Sequence, residues 1–241
     1  MAERTVLVIG ATGDVGQGIV RAVLGRRWTA IAAGRSMDRL AETFAGQPGS
    51  DRLHLCAGSL ESEESTAALW EAASTAAGSV DTVVVSVNAP QRVVPLAELP
   101  APELADLLGA NLVTHFNAAK VLRPRLPASG LYLGIGGGMA DLVIPGNVHA
   151  SIVQAGLRMM YRGFAREQKD GAALRELMIV SMVNGQKKRA VARPEWVTDD
   201  DIGAHVCAII AAPDLFPGPI LQLRSRDQAG QPDNPEGTPQ P

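Results

Sequence analysis

Seven residues near the start of the chain have the types and the spacing that suit a phosphate-binding turn. Gly10-Ala11-Thr12-Gly13-Asp14-Val15-Gly16 follows an apolar run at 6–9 and precedes apolar residues at helical spacing. Glycines let the backbone approach a pyrophosphate, and a helix N-terminus offers free N–H donors with a partial positive charge. This context predicts a dinucleotide site, and a purely structural turn is the alternative. Its candidate contacts are Gly10, Thr12, Gly13, Asp14, Val15 and Gly16.

Arg35 and Ser36 follow a second predicted strand, at 29–33, and could decide which dinucleotide binds. An acidic residue at that point holds the ribose 2′-hydroxyl of NAD, whereas a cation accommodates the 2′-phosphate of NADP. A guanidinium grips phosphate with two hydrogen bonds. We therefore expect NADP(H) as the cofactor, with Arg35 and Ser36 in contact with it. A surface arginine exposed to solvent is the alternative.

The rest of the chain alternates predicted strands with predicted helices. Buried strands in such an order indicate an α/β fold, namely a single Rossmann-type doubly wound parallel sheet with helices on both faces. We expect one domain over 1–226 and a disordered tail over 227–241, which has almost no apolar residues. The later strands are expected at 53–56, 80–87, 131–135, 177–183 and 220–223, and the longer helices at 65–77, 102–122, 147–168 and 199–211.

Composition excludes several classes of partner. The net charge of −3 gives no electrostatic reason to expect nucleic acid or an anionic membrane. Cys56 and Cys207 are too few for a disulfide framework, and no Cys/His spacing predicts a metal site. No apolar run reaches membrane-spanning length, and Glu3 and Arg4 argue against a signal peptide. We expect a cytoplasmic protein with a small-molecule substrate.

The order of elements, together with several residues, resembles the short-chain dehydrogenase/reductase family over residues 4 to about 226. The segment Val87-Asn88-Ala89-Pro90 is similar to the family's Asn-Asn-Ala-Gly segment beside the cofactor, which implies that Asn88 and Ala89 contact it. Asn111 matches the asparagine that holds a water in the family's proton relay, and a structural role is the alternative. The resemblance also implies a homodimer or homotetramer built on the two long helices.

The resemblance fails at the catalytic residues. Alignment of the helix at 147–168 places His149 over the family's tyrosine and Val153 over its lysine, while the serine position falls within 136–138. An imidazole can act as a general acid or base near neutral pH, so His149 is the candidate proton donor, with Asn111 as its water-holder. The alternative for His149 is a residue that only hydrogen-bonds its surroundings.

Three functions are consistent with this pattern. The first is an NADP(H)-dependent oxidoreductase that acts on a small carbonyl or alcohol with a non-standard proton donor. The second is a catalytically inactive dinucleotide-binding protein, either a sensor or a partner subunit. The third is a cyclase, dehydratase or isomerase on the same fold. The cations of Lys187-Lys188-Arg189 either bind an acidic group or form a solvated loop.

Overall fold

The structure, a computed structural model, describes residues 3–168, 170–185 and 189–232, and in this part of the chain strands and helices alternate. The elements in chain order are β1 (Thr5–Ile9), α1 (Asp14–Gly25), β2 (Thr29–Gly34), α2 (Met37–Thr43), β3 (Leu53–Ala57), α3 (Glu63–Ala77), β4 (Thr82–Val85), α4 (Ala101–Leu108), α5 (Thr114–Leu122), β5 (Leu131–Gly137), α6 (Val148–Glu167), β6 (Ala173–Ile179), β7 (Val183–Asn184), β8 (Val197–Thr198), α7 (Asp199–Ala211) and β9 (Ile220–Leu223).

Seven of the strands form one parallel sheet in the order β3-β2-β1-β4-β5-β6-β9. Leu7 of β1 pairs with Ile31 on one side and with Val83 on the other. Strand order therefore reverses between β1 and β4, as in a doubly wound sheet. The predicted α/β fold of Rossmann type is confirmed.

The sheet is covered on both faces by apolar side chains. Alternate residues of β1 point to opposite faces, so Val8 packs with α1 and α7 while Leu7 packs with α3, α5 and α6. Because neither face of the central strands is exposed to water, the sequences of these strands are nearly continuous apolar runs. This arrangement leaves only the ends of the strands free to form a site.

Helices α1 and α7 cross at two glycines. A Cβ atom on Gly18 would overlap the carbonyl oxygen of Asp199, and one on Gly203 would overlap the carbonyl oxygen of Gly18. Beside the crossing, Arg21 binds the carboxylates of Asp199 at 2.8 Å and Asp200 at 2.7 Å. Close backbone contact and this ion pair fix the start of α7 against α1.

The long helix predicted at 102–122 is interrupted. Residues Gly109–Val113 form a π-helical turn between α4 and α5, and this turn contains Asn111. An extra residue in a helical turn changes the direction of the side chains that follow it, and such turns often lie at functional sites. The sequence pattern did not show this interruption.

The strand predicted at 177–183 lies earlier in the structure, because β6 runs over Ala173–Ile179. Because Arg175 and Glu176 interrupt the apolar run within β6, the sequence pattern did not predict the first half of this strand. Val183 instead pairs with Val197 in a separate two-stranded sheet of β7 and β8. The chain after Ile179 therefore leaves the main sheet and crosses toward α1.

The chain beyond β9 is described as far as residue 232. Arg226–Gln228 form a 3-10 turn, and the backbone N–H of Gly230 donates to Nδ1 of His205 at 3.1 Å. The remaining part of the predicted tail, 233–241, lies outside the described residues.

Candidate functional site

A cleft of about 500 Å³ opens at the carboxyl ends of β1 to β4, where the strand order reverses. Ligands of doubly wound folds bind at this position, and the volume lies in the usual range for small-molecule sites, about 300–1,000 Å³. It is lined by residues of β1, β2, α2, the π-helical turn and α5 and of the loops after β1 to β4, namely Ile9, Gly10, Thr12, Gly13, Gly34, Arg35, Arg39, Gly58, Ser59, Leu60, Glu61, Ser86, Val87, Asn88, Ala89, Pro90, Gly109, Ala110, Val113 and Thr114.

The turn after β1 is built so that only glycine fits at two of its positions. Gly10 has a φ of +84°, and a Cβ there would overlap the carbonyl oxygen of Ser86. A Cβ on Gly16 would overlap the carbonyl oxygen of Gly10, which brings the first turn of α1 against the strand end. The backbone N–H of Gly13 donates to the carbonyl oxygen of Gly10 at 3.1 Å, and this hydrogen bond closes the turn.

The six candidate contacts of the glycine turn divide into two groups. Gly10, Thr12 and Gly13 line the cleft. Gly16 packs on the strand end, Val15 packs against the core, and the side chain of Asp14 lies against Gly185 in the loop after β7. Contact of all six with a cofactor stays a prediction. The carboxylate of Asp14 also stabilises the N-terminus of α1.

Two arginines line the cleft beyond β2. Arg35 follows the strand directly, Arg39 lies on α2, and both residues line the cleft. Sequence analysis missed Arg39. Ser36 is the N-cap of α2, and its Oγ accepts from the backbone N–H of Arg39 at 3.3 Å. Ser36 is therefore placed to hold the start of α2.

Asn88 and Ala89 also line the cleft, and Asn111 holds the loop that carries them. The side-chain Oδ1 of Asn111 accepts from the backbone N–H of Ala89 at 2.8 Å, and its Nδ2 donates to the carbonyl oxygen of Leu107 at 2.9 Å. Asn111 is buried within the π-helical turn. Both ends of its amide are occupied by backbone, which favours the structural role over the water-holding one.

His149 lies in a second pocket beside the cleft. This pocket, of about 220 Å³, is lined by Ala89, Pro90, Gln91, Arg92, Leu99, Glu103, Asp106, Leu107, Ala110 and His149. It shares Ala89, Pro90 and Ala110 with the cleft. His149 is 2% exposed, and its Nδ1 has no hydrogen-bond partner among the described residues. His149 therefore lines this pocket and not the cleft itself.

The side chains of the neighbouring residues Val153 and Gln154 on α6 point to different surroundings. Val153 is fully buried in the core beside Leu157, so a lysine there would have its ammonium group in apolar surroundings. Gln154 instead reaches the end of β5, where its Oε1 accepts from the backbone N–H of Gly137 at 2.7 Å. Gln154 therefore lies at the end of the sheet, whereas Val153, which aligns with the family's lysine, lies in the core.

A buried polar contact that sequence analysis missed supports the wall of the cleft. His115 lies 2.7 Å from the hydroxyl of Tyr161 through Nδ1 and 3.0 Å from the carbonyl oxygen of Val87 through Nε2. Burial lowers the pKa of His115 to about 4, so the ring is neutral at pH 7. A carbonyl oxygen only accepts, so Nε2 carries the hydrogen and Nδ1 accepts from Tyr161.

Glu176 of β6 is a second buried polar residue that was missed. Both carboxyl oxygens are buried without a hydrogen-bond partner in the described part of the chain. Burial raises the pKa of Glu176 to about 7, although the nearby Arg158 and Arg162 act in the opposite direction. A glutamate directly before the apolar run at 177–180 was the available signal, but the predicted strand began after it.

The remaining predictions concern cations, metals and membranes. Lys187 and Lys188 lie outside the described residues, whereas Arg189 is exposed and lies 4.0 Å from Asp199. Among the residues with described positions, no group of three or more His, Cys, Asp or Glu side chains could hold a metal ion. None of the described helices combines the length and the apolar character that crossing a membrane requires.

Several known proteins are similar to this chain. A structure of a short-chain glucose/ribitol dehydrogenase from Brucella melitensis has a TM-score of 0.80 at 16% identity, covering 91% of this chain and 94% of that one. A gluconate 5-dehydrogenase from Burkholderia cenocepacia in complex with NADP and tartrate has a TM-score of 0.77 at 16% identity, covering 92% and 94%. A 7α-hydroxysteroid dehydrogenase complexed with NADH has a TM-score of 0.78 at 16% identity, covering 95% and 94%.

At these identities the structures show a shared fold. No curated protein sequence matches the chain. The model of the short chain dehydrogenase family, however, matches residues 4–170, which is more than half of the chain. The chain belongs to the short-chain dehydrogenase/reductase family.

Proposed function

We propose that this protein is an NADP(H)-dependent oxidoreductase that acts on a small carbonyl or alcohol and uses His149 as its proton donor. The observation that carries the proposal is the presence of Arg35 and Arg39 in the lining of the cleft. A 2′-phosphate beside them would receive charge-assisted hydrogen bonds, which are roughly twice as strong as neutral ones.

The cleft fits a dinucleotide at its other end as well. The turn of Gly10, Thr12 and Gly13 presents backbone at the start of α1, and side chains are excluded there because a Cβ on Gly10 would meet Ser86. When bound, a nicotinamide cofactor supplies the hydride that this chemistry needs. Asn88 and Ala89 would lie beside it, in a loop that Asn111 holds in place.

His149 supports the proposal through its position. Its pocket shares three wall residues with the cleft. An imidazole can act as a general acid or as a general base. A substrate that reaches from the cleft into the pocket would place its oxygen within reach of this ring.

Titration of the purified protein with NADPH and NADH, followed by nucleotide fluorescence, tests the cofactor. We expect tighter binding of NADPH.

Consumption of NADPH with a panel of small ketones tests turnover. His149→Ala is expected to reduce the rate of NADPH consumption at least about 100-fold, because this is the usual lower limit for loss of a general acid. His54→Ala, a partly exposed histidine of β3, is the matched control. NADPH consumption that survives His149→Ala would remove His149 from the mechanism.

A second function, dinucleotide binding without turnover, has its own supporting observation. The positions that align with the family's tyrosine and lysine hold His149 and Val153 instead, and Val153 is buried in the core. A sensor or partner subunit needs the nucleotide cleft but not these residues. Tight NADPH binding with no consumption by any ketone would favour this function.

We also propose a homodimer or homotetramer in the cytoplasm. Exposed apolar side chains on α5 and α6, among them Phe116, Ile152 and Met159, support burial against a second copy. Sedimentation equilibrium would test the oligomeric state.

A further inference from the structure

Two loops beside the pocket of His149 expose apolar side chains to solvent. The loop between β5 and α6 contains four consecutive exposed residues, Leu142-Val143-Ile144-Pro145, and Val143 is 81% exposed. The loop between β4 and α4 exposes Val93, at 73%, and Leu96. A run of three or four exposed apolar residues is unfavourable in a soluble protein unless it serves a function. We call these five large side chains the apolar rim, namely Val93, Leu96, Leu142, Val143 and Ile144.

The two halves of the apolar rim are in direct contact. The backbone N–H of Val94 donates to the carbonyl oxygen of Gly146 at 2.8 Å. Gly146 has a φ of +79°, and a Cβ there would lie 2.7 Å from Cγ1 of Val93. Ser151 ties the second loop to α6, because its Oγ donates to the carbonyl oxygen of Leu142 at 2.5 Å. The apolar side chains therefore belong to one surface rather than to two separate loops.

The apolar rim continues into the walls of the pocket. Residues 89–92 and Leu99 line the pocket, and Val93 and Leu96 lie between them in the chain. The other loop leads into α6, whose second residue, His149, also lines the pocket. Both loops leave the sheet at the carboxyl ends of their strands, the edge at which ligands of doubly wound folds bind. A molecule that is too long for the pocket would therefore extend onto the rim.

Two ion pairs flank the apolar rim. Arg92 binds Glu103 with two hydrogen bonds of 2.7 Å each. Arg158 binds both carboxylate oxygens of Asp141, at 2.5 and 2.6 Å. Because each guanidinium group is already engaged by a carboxylate, neither is free to attract an anionic ligand. The rim thus offers apolar contact rather than a charge.

The position of the rim favours a small molecule as its occupant. The residues of this chain outside the described part, 1–2, 169, 186–188 and 233–241, contain no valine, leucine, isoleucine or aromatic residue, so they do not supply an apolar cover. The apolar face proposed for association of copies, with Phe116 and Met159, lies on α5 and α6 and not on these loops. A contiguous apolar patch beside a pocket is typical of a ligand-binding groove.

We propose that the apolar rim binds the hydrophobic part of the substrate, and that the substrate is an uncharged ketone or secondary alcohol whose hydrocarbon chain is too long for the pocket alone. The pocket, of about 220 Å³, holds about seven water-sized groups at about 30 Å³ each. The reacting oxygen would lie on the side of His149, and the far end of the chain would lie along Val93 and Val143. This inference rests on the proposed function, because it names the substrate class of the same site.

The reaction balances with the groups already named. The carbonyl carbon accepts a hydride from the reduced nicotinamide as the carbon–oxygen π bond breaks. The carbonyl oxygen accepts a proton from the imidazolium of His149. The products are the secondary alcohol and the oxidised nucleotide, and the imidazole regains its proton from water.

Two methyl ketones of different length test the role of the hydrocarbon chain. 2-Butanone fits within the pocket, whereas 2-nonanone has five further methylene groups that would lie along the rim. Full burial of a methylene group corresponds to about fourfold, so half-burial should raise kcat/KM with NADPH about twofold for each group. We therefore expect kcat/KM to be about 30-fold higher for 2-nonanone. Equal values for the two ketones would overturn the proposal.

A charged probe of the same length tests the apolar character of the rim. 7-Oxooctanoate differs from 2-octanone only in a carboxylate that replaces the terminal methyl group. Moving a carboxylate from water to an apolar surface is unfavourable, so we expect kcat/KM to be at least about tenfold lower for 7-oxooctanoate. Reduction of the two compounds at the same rate would contradict an apolar binding surface.

A double variant assigns the preference to the rim. Val93→Ser combined with Val143→Ser removes the two most exposed apolar side chains of the rim, and neither side chain belongs to the core. The ratio of kcat/KM for 2-nonanone to that for 2-butanone is expected to fall about fivefold, with 2-butanone unchanged. Leu215→Ser, an exposed position in the turn before β9 at the opposite edge of the sheet, is the control. An unchanged ratio in the double variant would remove the rim from substrate binding.

Binding of the uncharged fluorescent probe N-phenyl-1-naphthylamine to the nucleotide-free protein gives a measurement that does not need turnover. We expect the probe to bind, to be displaced by 2-nonanone at concentrations at which 2-butanone has no effect, and to bind at least about fivefold more weakly to the double variant. A change of oligomeric state in the double variant, measured by sedimentation equilibrium, would assign the rim to an interface between copies and overturn the proposal.

The same measurements separate this inference from the proposed function. If NADPH neither binds nor is consumed but 2-nonanone displaces the probe, the proposed function fails while the apolar binding site stands. If NADPH is consumed equally well with both ketones and the probe does not bind, the substrate class fails alone.

Discussion

The Nδ1 atom of His115 lies 2.7 Å from the hydroxyl oxygen of Tyr161, in a part of the core that solvent does not reach. The same ring donates from Nε2 to the carbonyl oxygen of Val87, which lines the cleft. One imidazole therefore connects α5, α6 and the end of β4. A Cβ on Gly134 would overlap the Tyr161 hydroxyl, so this glycine of β5 makes room for the contact.

Loss of the Tyr161 hydroxyl is expected to destabilise the protein. Tyr161→Phe leaves the buried Nδ1 of His115 without a donor, which costs about 1–3 kcal/mol. Urea unfolding of Tyr161→Phe, His115→Leu and the double variant measures the coupling between the two side chains. We expect about 1–2 kcal/mol of coupling, within the range measured for residues in contact. Strictly additive losses would contradict the hydrogen bond.

The carboxyl group of Glu176 is expected to make stability depend on pH. Its pKa is raised to about 7 in the folded protein from about 4.5, so folding favours the protonated form. Its contribution is fully present below pH 4.5 and is lost as the pH rises through 7. A shift of this size corresponds to about 3 kcal/mol at pH 8.

Glu176→Gln removes that dependence, because an amide does not ionise. We expect the free energy of unfolding of Glu176→Gln to exceed that of the original protein at pH 8, and the difference to shrink toward pH 5. Urea unfolding across this range is the measurement. Glu71→Gln, an exposed position of α3, serves as the control and should leave the pH profile unchanged. A parallel offset at every pH would argue against ionisation of Glu176.

The crossing of α1 and α7 offers a test of the fold itself. Gly18→Ala would place a methyl group on the backbone of Asp199, and the helices must separate to admit it. Overpacking of this kind costs about 1–3 kcal/mol. Gly25→Ala, at the end of the same helix, meets nothing within 4 Å and should be close to neutral. Thermal unfolding of the two variants separates the crossing from a general effect of glycine replacement.

Much of the fold could be predicted because buried strands and their turns leave strong local patterns. Continuous apolar runs predicted β1, β2 and β4. The glycine turn predicted a dinucleotide site at the end of β1, beside which the strand order reverses. The misplaced β6 shows the limit of the method, since Arg175 and Glu176 break its apolar run and the pattern then favours the later residues.

The site was harder to predict because side-chain direction depends on the phase of a helix. Successive side chains of a helix differ in direction by about 100°. Val153 therefore points into the core while its neighbour Gln154 reaches the end of β5, so an alignment that is wrong by one position assigns the wrong side chain to the site. His115 and Tyr161 lie 46 positions apart in the chain. No local pattern connects them, and only the packing of α5 on α6 brings them together.

The preference for NADPH over NADH is expected to depend on the two arginines of the cleft. The double replacement of Arg35 and Arg39 by alanine removes both cations that would meet a 2′-phosphate, and each charge-assisted hydrogen bond contributes about 1.5–3 kcal/mol. The two lost bonds together amount to about 3 kcal/mol or more, so the Kd for NADPH should rise at least about 100-fold, while that for NADH, which lacks the phosphate, should change by about twofold or less. Fluorescence titration with both nucleotides measures the two constants. Arg166→Ala, an exposed arginine near the end of α6, controls for the loss of positive charge. Equal weakening of both nucleotides would mean that the arginines support the wall of the cleft rather than the phosphate.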